Sequence, residues 1–256
     1  MKGSREPATD GALLFARYAY PPNALGYCGS DDPATLLERT AAGAVDDELR
    51  RTLRTFDGAW PYLELIAHAN GIADPLDAQV VEAYWIGNSL LESVDIGRMA
   101  ASLEVRFRPL LGRGWRKLGD AAGAGALPHH SFHVFGVYPH VGLLRTGVVD
   151  QPLYVLDRCR IRWGRVVDAD ADYALVRSQR LLWDGRRLHL GIPEVERVII
   201  KTGGLGLSRP LHPDDWCSLH WNWVCDRLDA AQVQRLRAHT IRSLNAANDA
   251  PSHVLA

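Results

Sequence analysis

One stretch near the C-terminus constrains the fold of this chain more than any other. Residues 214–229 read DDWCSLHWNWVCDRLD, and their side chains alternate at a period of two, which is typical of a β-strand. One face carries the apolar residues Cys217, Leu219, Trp221, Trp223 and Cys225. His220 lies on the other, more polar face, so we expect it to be at least partly accessible. Asp229 has the position of an N-cap for an amphipathic helix over 230–244.

Length and composition place the chain among ordinary globular proteins. Its 256 residues, 47% hydrophobic and 23% charged, suffice for one large domain or two smaller ones. A formal net charge of −1 gives no electrostatic support for binding nucleic acid or an anionic membrane. The chain contains no P-loop, dinucleotide-binding, nucleophile-elbow or zincin motif, which argues against the common nucleotide-binding, hydrolase and zinc-protease functions.

The cysteines and the apolar runs indicate the cellular compartment in which the protein is expected. The four cysteines include no CxxC pair, and the first eleven residues are polar. The apolar runs are far shorter than the roughly 20 residues of a membrane-spanning helix. We therefore expect a cytoplasmic protein with reduced thiols and no membrane span.

The sequence pattern changes character near residue 125. Before it, Asp32-Pro33 and Asp74-Pro75 each pair an N-cap residue with a proline, which predicts a helix over about 34–55 and another after Pro75. A third helix is expected over 62–70. After residue 130, turn signals separate short segments that favour β-structure. These segments are 131–138, 153–156, 161–167, 173–178, 187–190 and 195–201.

These patterns predict an α+β protein of two domains. A helical domain over 1–125 precedes a domain over 126–256. The second domain is expected to be a small antiparallel β-barrel, OB-like, capped by a C-terminal helix.

The order of motifs over about 155–247 resembles the HypC/HupF family of nickel–iron (NiFe) hydrogenase maturation chaperones. The family opens with Cys, three mostly apolar residues, Pro and Gly, and this pattern falls on Cys159 and Gly164. Its closing motif ends in a histidine, which falls on His220, after an aspartate that matches Asp215. In this chain the cysteine is internal, and Trp163 stands at the position of the proline.

The resemblance implies a function and a pair of site residues. Cys159 and His220 would meet at one end of the barrel and bind iron that carries cyanide and carbon monoxide. The protein would be an assembly factor without turnover. Its partners would be the hydrogenase large-subunit precursor and other maturation proteins.

Histidines concentrate in a second region of the chain. His129, His130 and His133 stand in the sequence PHHSFH, and His140 follows. On a strand His129 and His133 share a face, whereas His130 points away, so His129 and His133 are the candidate metal ligands here. The cluster leaves open an iron or haem metalloenzyme, although the weak ligand spacing favours histidines that stabilise a strand–loop junction.

Cys28 is the candidate functional thiol outside the predicted barrel. It lies in the sequence LGYCGSDD, between glycines and just before a predicted helix. The helix dipole would lower the pKa of its thiol and make it a reactive, cofactor-binding residue. The alternative is an incidental cysteine in a tight turn. For the whole chain, a non-catalytic interaction scaffold also remains open.

Overall fold

The structure is a computed structural model that describes residues 9–95, 97–102, 104 and 126–250. The glycine-rich segment 112–125, read from the sequence as a loop or a short helix, lies outside the described residues. The predicted domain boundary falls at its end. The division of the chain into two domains therefore stays a prediction.

The N-terminal region is helical, as predicted. Within residues 9–95 the helices are α1 (Gly11–Ala24), α2 (Pro33–Ala42), α3 (Asp47–Arg54), α4 (Trp60–Ala69) and α5 (Ala78–Trp85), followed by a 3-10 turn (Ser89–Ser93). The single helix expected over 34–55 is wrong, because α2 ends at Gly43 in a left-handed conformation, φ +66°. Asp46 then caps α3 by accepting a hydrogen bond from the Leu49 amide (2.8 Å).

Two segments that were predicted as strands are helical. After residue 126 the chain forms α6 (His130–Phe132), a π-helical turn (His133–Val137), α7 (His140–Arg145) and α8 (Asp150–Cys159). The strands expected over 131–138 and 153–156 are therefore wrong. In α8 the buried residues Val155, Leu156 and Cys159 recur at helical spacing. A short apolar run fits both periods, and the longer window decides between them.

The remaining strands form a mixed sheet. They are β1 (Arg162–Ala169), β2 (Tyr173–Trp183), β3 (Leu188–Ile199), β6 (Trp216–His220) and β7 (Trp223–Leu228), while β4 (Lys201–Thr202) and β5 (Leu205–Gly206) pair separately. β1 pairs antiparallel with β2 and with β6, β2 with β3, and β6 with β7. β3 meets β7 in one parallel pair, Ile199 with Trp223. The predicted α+β class is confirmed. The prediction of a wholly antiparallel sheet is wrong, because β3 and β7 pair in parallel.

The stretch 214–229 forms a hairpin rather than one strand. β6 ends at His220, and Trp221 takes a left-handed conformation, φ +52°, in the turn to β7. His220 is 1% exposed, so the expected accessibility is wrong. The second face of β6 is covered by α1, where the Tyr18 hydroxyl hydrogen-bonds the Ser218 hydroxyl (2.8 Å). Period-two alternation shows which residues share a face but does not show which of the two faces is covered.

The helix after the hairpin begins where the sequence predicts it. Asp229 accepts a hydrogen bond from the Gln232 amide (2.7 Å), and the Gln232 side chain accepts one from the Asp229 amide (2.9 Å). This reciprocal capping box starts α9 (Ala230–Asp249). Among the described residues, none of the helices combines the length and the apolar character needed to cross a lipid bilayer.

One cluster of buried side chains joins the helices to the sheet. It contains Phe15 of α1 and Trp85 of α5 together with Trp223 of β7 and Leu236 of α9. Leu219, Trp221 and Trp223 are all buried, as the alternation predicts. The interior of the sheet forms another cluster, made of Val166, Val176, Val198, Cys217, Leu219 and Val224.

A buried ion pair crosses the sheet. Arg162 of β1 is 0% exposed and pairs with Glu196 of β3, which is 8% exposed. The Ser178 hydroxyl donates to the same carboxylate oxygen. Burial by itself raises the pKa of Glu196, but the Arg162 guanidinium and these hydrogen bonds outweigh it and hold the pKa below its ordinary value. The carboxylate is therefore ionised, and its negative charge is shared between Arg162 and Arg158, whose guanidinium lies 2.7 Å from the second carboxylate oxygen.

Glu196→Gln should destabilise the protein by about 3–5 kcal/mol, because it leaves the Arg162 charge buried without compensation. Urea denaturation measures the free energy of unfolding. The matched control is Glu194→Gln on the same strand, whose ion pair with Arg180 (3.8 Å) is exposed to water. We expect the control to lose less than about 1 kcal/mol. Equal losses in the two variants would contradict a structural role for the buried pair.

Candidate metal centre

Three potential metal ligands meet at one point of the fold. Cys159, His220 and His130 each direct one ligand atom into a group whose members lie within 4.8 Å of one another. They come from the end of α8, the end of β6 and the start of α6, and all three are buried. A thiol with two imidazoles is a donor set that binds zinc, copper and iron in proteins.

Two hydrogen bonds of the Trp221 backbone explain why residues so far apart in sequence meet. The Trp221 amide donates to the Arg158 carbonyl (2.7 Å), and the Arg162 guanidinium donates to the Trp221 carbonyl. The turn that follows His220 is therefore fastened to the segment that contains Cys159. This attachment places the imidazole beside the thiol.

His220 is already in the protonation state that a metal requires. Its Nδ1 lies 2.6 Å from the Tyr18 carbonyl, which can only accept, so Nδ1 carries the proton. Its Nε2 is buried and has no hydrogen-bond partner among the described residues. Burial, and next the neighbouring His130, hold the pKa of His220 well below its ordinary value. The ring is neutral and keeps a free lone pair on Nε2.

His130 is neutral as well, but both of its nitrogens are engaged. Nε2 donates to the Cys159 carbonyl (2.8 Å), and Nδ1 accepts from the Tyr84 hydroxyl (3.2 Å). Burial lowers the pKa of His130 to about 4. Coordination by His130 therefore requires one of these two hydrogen bonds to break, whereas His220 can bind without such a change.

Cys159 is a protonated thiol in the absence of metal. It is buried, and burial together with the nearby Cys28 raises the pKa of its thiol well above the ordinary value. A hydrogen bond from Tyr138 acts in the opposite direction but is weaker. A metal ion that binds here has to displace the thiol proton.

The three residues open onto a cavity of about 160 Å³. Six aromatic side chains line it: Tyr27, Phe56, Tyr84, Trp85, Tyr138 and Trp221. Cys28, His133 and His140 also line it. The wall thus combines several nitrogen and sulfur donors with an apolar surface.

The other histidines predicted from the sequence fall in different places. His133 lines the cavity and its Nδ1 lies 3.2 Å from the Tyr62 hydroxyl. The structure does not bring His129 to the group: its Nδ1 accepts from the Ser131 amide (3.0 Å), and its ring stacks on His239 at 4.9 Å. The predicted strand would have turned His130 away from His129 and His133. In the helical segment that forms instead, His130 shares a face with His133 because the two are three residues apart. Helical spacing was the signal that could have found it.

The predicted activation of Cys28 is wrong. Burial raises the pKa of its thiol to about 12, whereas a helix N-terminus would lower it. The helix that follows begins only at Pro33, and Asp32 caps it by accepting from the Thr35 amide (3.1 Å). Cys28 therefore lies against the cavity wall instead of at the positive end of a dipole.

Alkylation of the native, metal-free protein should label Cys28 before the other three cysteines, but slowly. Cys28 is half-buried, while Cys159, Cys217 and Cys225 are buried. Only the thiolate reacts, so with a pKa of about 12 the labelling rate of Cys28 should rise roughly tenfold per pH unit between about pH 7 and 10. Iodoacetamide treatment followed by mass spectrometry measures the rate. A rate that levels off within this range would contradict the raised pKa, and early labelling of Cys217 would contradict the packing of the sheet.

Comparison with known proteins places the chain in a family. No curated protein and no solved structure matches it. Residues 7–254 match a family described as a family of unknown function, DUF6390. The match includes the helices and the strands that carry Cys159, His220 and His130. The chain therefore belongs to the DUF6390 family.

Proposed function

We propose that this protein binds a transition-metal unit through Cys159 and His220 and serves as an accessory factor in nickel–iron hydrogenase assembly. One observation carries the proposal. The two residues that match the HypC/HupF motifs lie 61 positions apart in sequence, from 159 to 220, yet their ligand atoms lie within 4.8 Å in one buried group. The Nε2 lone pair of His220 faces no hydrogen-bond donor among the described residues.

The cargo that fits this donor set is iron with cyanide and carbon monoxide ligands. A thiolate is a soft, electron-rich ligand, which suits low-spin iron that donates electron density to such diatomics. The aromatic side chains give the cavity an apolar lining, and Tyr138 holds a hydroxyl beside the sulfur. The protein would hold the unit or dock the large-subunit precursor, and it would catalyse no reaction.

The proposal includes the shape of the sheet. In the order β1–β2–β3–β7–β6, each strand pairs with the next, and β6 pairs again with β1. We interpret this ring as a small barrel of the kind that the HypC/HupF chaperones have. The single parallel pair between Ile199 and Trp223 would close it. α9 follows β7 directly, in the place of the family's C-terminal helix.

Because Cys159 lies inside the chain, the third candidate metal ligand differs from that of the HypC/HupF family. In the HypC/HupF family the cysteine is at the N-terminus, beside an α-amino group, whereas Cys159 here ends α8. His130 supplies an imidazole whose ligand atom lies within 4.8 Å of the sulfur. The helical region thereby contributes to the site itself, because Tyr18 also orients His220 through its carbonyl.

Anaerobic purification followed by metal analysis and infrared spectroscopy tests the proposal. We expect iron, with infrared bands of bound carbon monoxide and cyanide, in protein isolated from cells that assemble the hydrogenase. Cys159→Ser and His220→Ala should each reduce the iron content to background, since each removes a ligand. Cys217→Ser is the matched control, because Cys217 is an equally buried cysteine in the sheet interior.

The outcomes separate the alternatives. Iron without the diatomic bands would support the metalloenzyme that the histidine cluster suggests and would contradict the carrier. The cavity of about 160 Å³ is smaller than the roughly 300–1,000 Å³ of most cofactor pockets, which disfavours haem. If the protein contains no metal, both as isolated and after anaerobic incubation with Fe²⁺, the carrier and the metalloenzyme are both contradicted. The result would support the interaction scaffold.

A further inference from the structure

We infer that Cys28 is a fourth donor of this centre and that the loop between α1 and α2 carries it to the metal. The inference rests on the proposed metal site and adds to it. With Cys28 the donor set becomes two thiolates and two imidazoles. For a bare divalent ion, which carries no cyanide or carbon monoxide, that set favours tetrahedral coordination of zinc, cobalt or iron.

One cavity brings Cys28 together with the proposed ligands. Cys28 and Cys159 both line it. The same cavity contains the His220 ring, whose buried Nε2 has no partner among the described residues. The wall thus presents a second thiol to a space that already contains a free nitrogen lone pair.

The loop is anchored at its base. The Asn23 side-chain amide donates to the carbonyls of Cys28 (2.8 Å) and Ser30 (2.6 Å). A Cβ on Gly29 would lie 2.3 Å from the Phe56 ring. The loop backbone therefore packs closely against Phe56, in the turn that precedes α4. These contacts keep the thiol against the cavity in the absence of metal.

The other side of the loop faces open space at Gly26. Gly26 has a φ of +74°, and a Cβ built there would meet no described atom within 4 Å. Tyr27 is 49% exposed, and its ring stacks at 4.4 Å on Trp221, the residue after His220. Cys28 lies outside the 4.8 Å group, so a movement of this loop segment has to bring its sulfur to the metal. Tyr27 would then cover the cavity mouth.

Titration of the full-length protein with Co²⁺ tests the inference. Absorption from thiolate-to-cobalt charge transfer reports how many thiolates bind, and the visible bands report tetrahedral geometry. Cys28→Ser and Cys159→Ser should each reduce the charge-transfer intensity by about half, since each removes one of two thiolates. Each should also weaken the apparent affinity for Co²⁺ by about tenfold or more. Cys217→Ser is again the matched control and should leave both unchanged.

The results distinguish this inference from the proposed function. If Cys28→Ser keeps full intensity and affinity while Cys159→Ser loses them, Cys28 is not a ligand and the three-residue site stands. If wild-type protein shows no thiolate-to-cobalt band, both proposals fail.

A second measurement does not depend on how the Cys28 variant folds. Co²⁺ should protect Cys28 of the wild-type protein from iodoacetamide, and the protection should disappear in His220→Ala. Equal labelling of wild-type Cys28 with and without Co²⁺ would overturn the inference.

Discussion

The buried contact between Arg162 and Glu196 is the interaction on which the arrangement of the site depends. The guanidinium has 0% exposure, so its charge needs both the carboxylate of β3 and the Trp221 carbonyl. Trp221 is not a glycine, and its left-handed backbone costs about 1–2 kcal/mol. The Arg162 guanidinium donates to the Trp221 carbonyl, and the Trp221 amide donates to the Arg158 carbonyl. These two hydrogen bonds offset that cost and hold the hairpin against the end of α8. One buried charge thereby sets the distance between Cys159 and His220.

The site is built from neutral groups, and burial is the reason. The pKa values of His130 and His220 are lowered and that of Cys159 is raised, so none of the three carries charge without metal. A cavity of this kind stays stable when empty, because it contains no unpaired charge. It still presents a nitrogen lone pair and a thiol whose proton a metal can displace. Under the proposed function, this combination would allow a metal unit to be loaded and released.

The helices and the sheet contribute to the site together. α1 supplies the Tyr18 carbonyl that fixes the tautomer of His220, and α5 supplies the Tyr84 hydroxyl that faces His130. The loop after α1 contributes Tyr27 and Cys28 to the cavity wall. If the protein is related to the HypC/HupF chaperones, its helical region is part of the metal site rather than a separate module. In the proposed site, side chains held by tertiary contacts would stand where those proteins have an N-terminal amine.

Local rules in the sequence determined the elements with strong end signals. Asp32 and Asp229 cap helices at the predicted starts because an aspartate side chain satisfies free amides wherever a helix begins, and the Asp184-Gly185 turn needs only local backbone freedom. The cap at Asp46 was missed, because it lies inside the single helix expected over 34–55. The motif order singled out Cys159 and His220 before any contact was known. Tertiary structure alone decided that His130 joins them, that His129 does not, and that His220 is buried. A short apolar run is compatible with both the period of a strand and the period of a helix. Only packing against α1 and α9 determines which face of a strand or helix is covered.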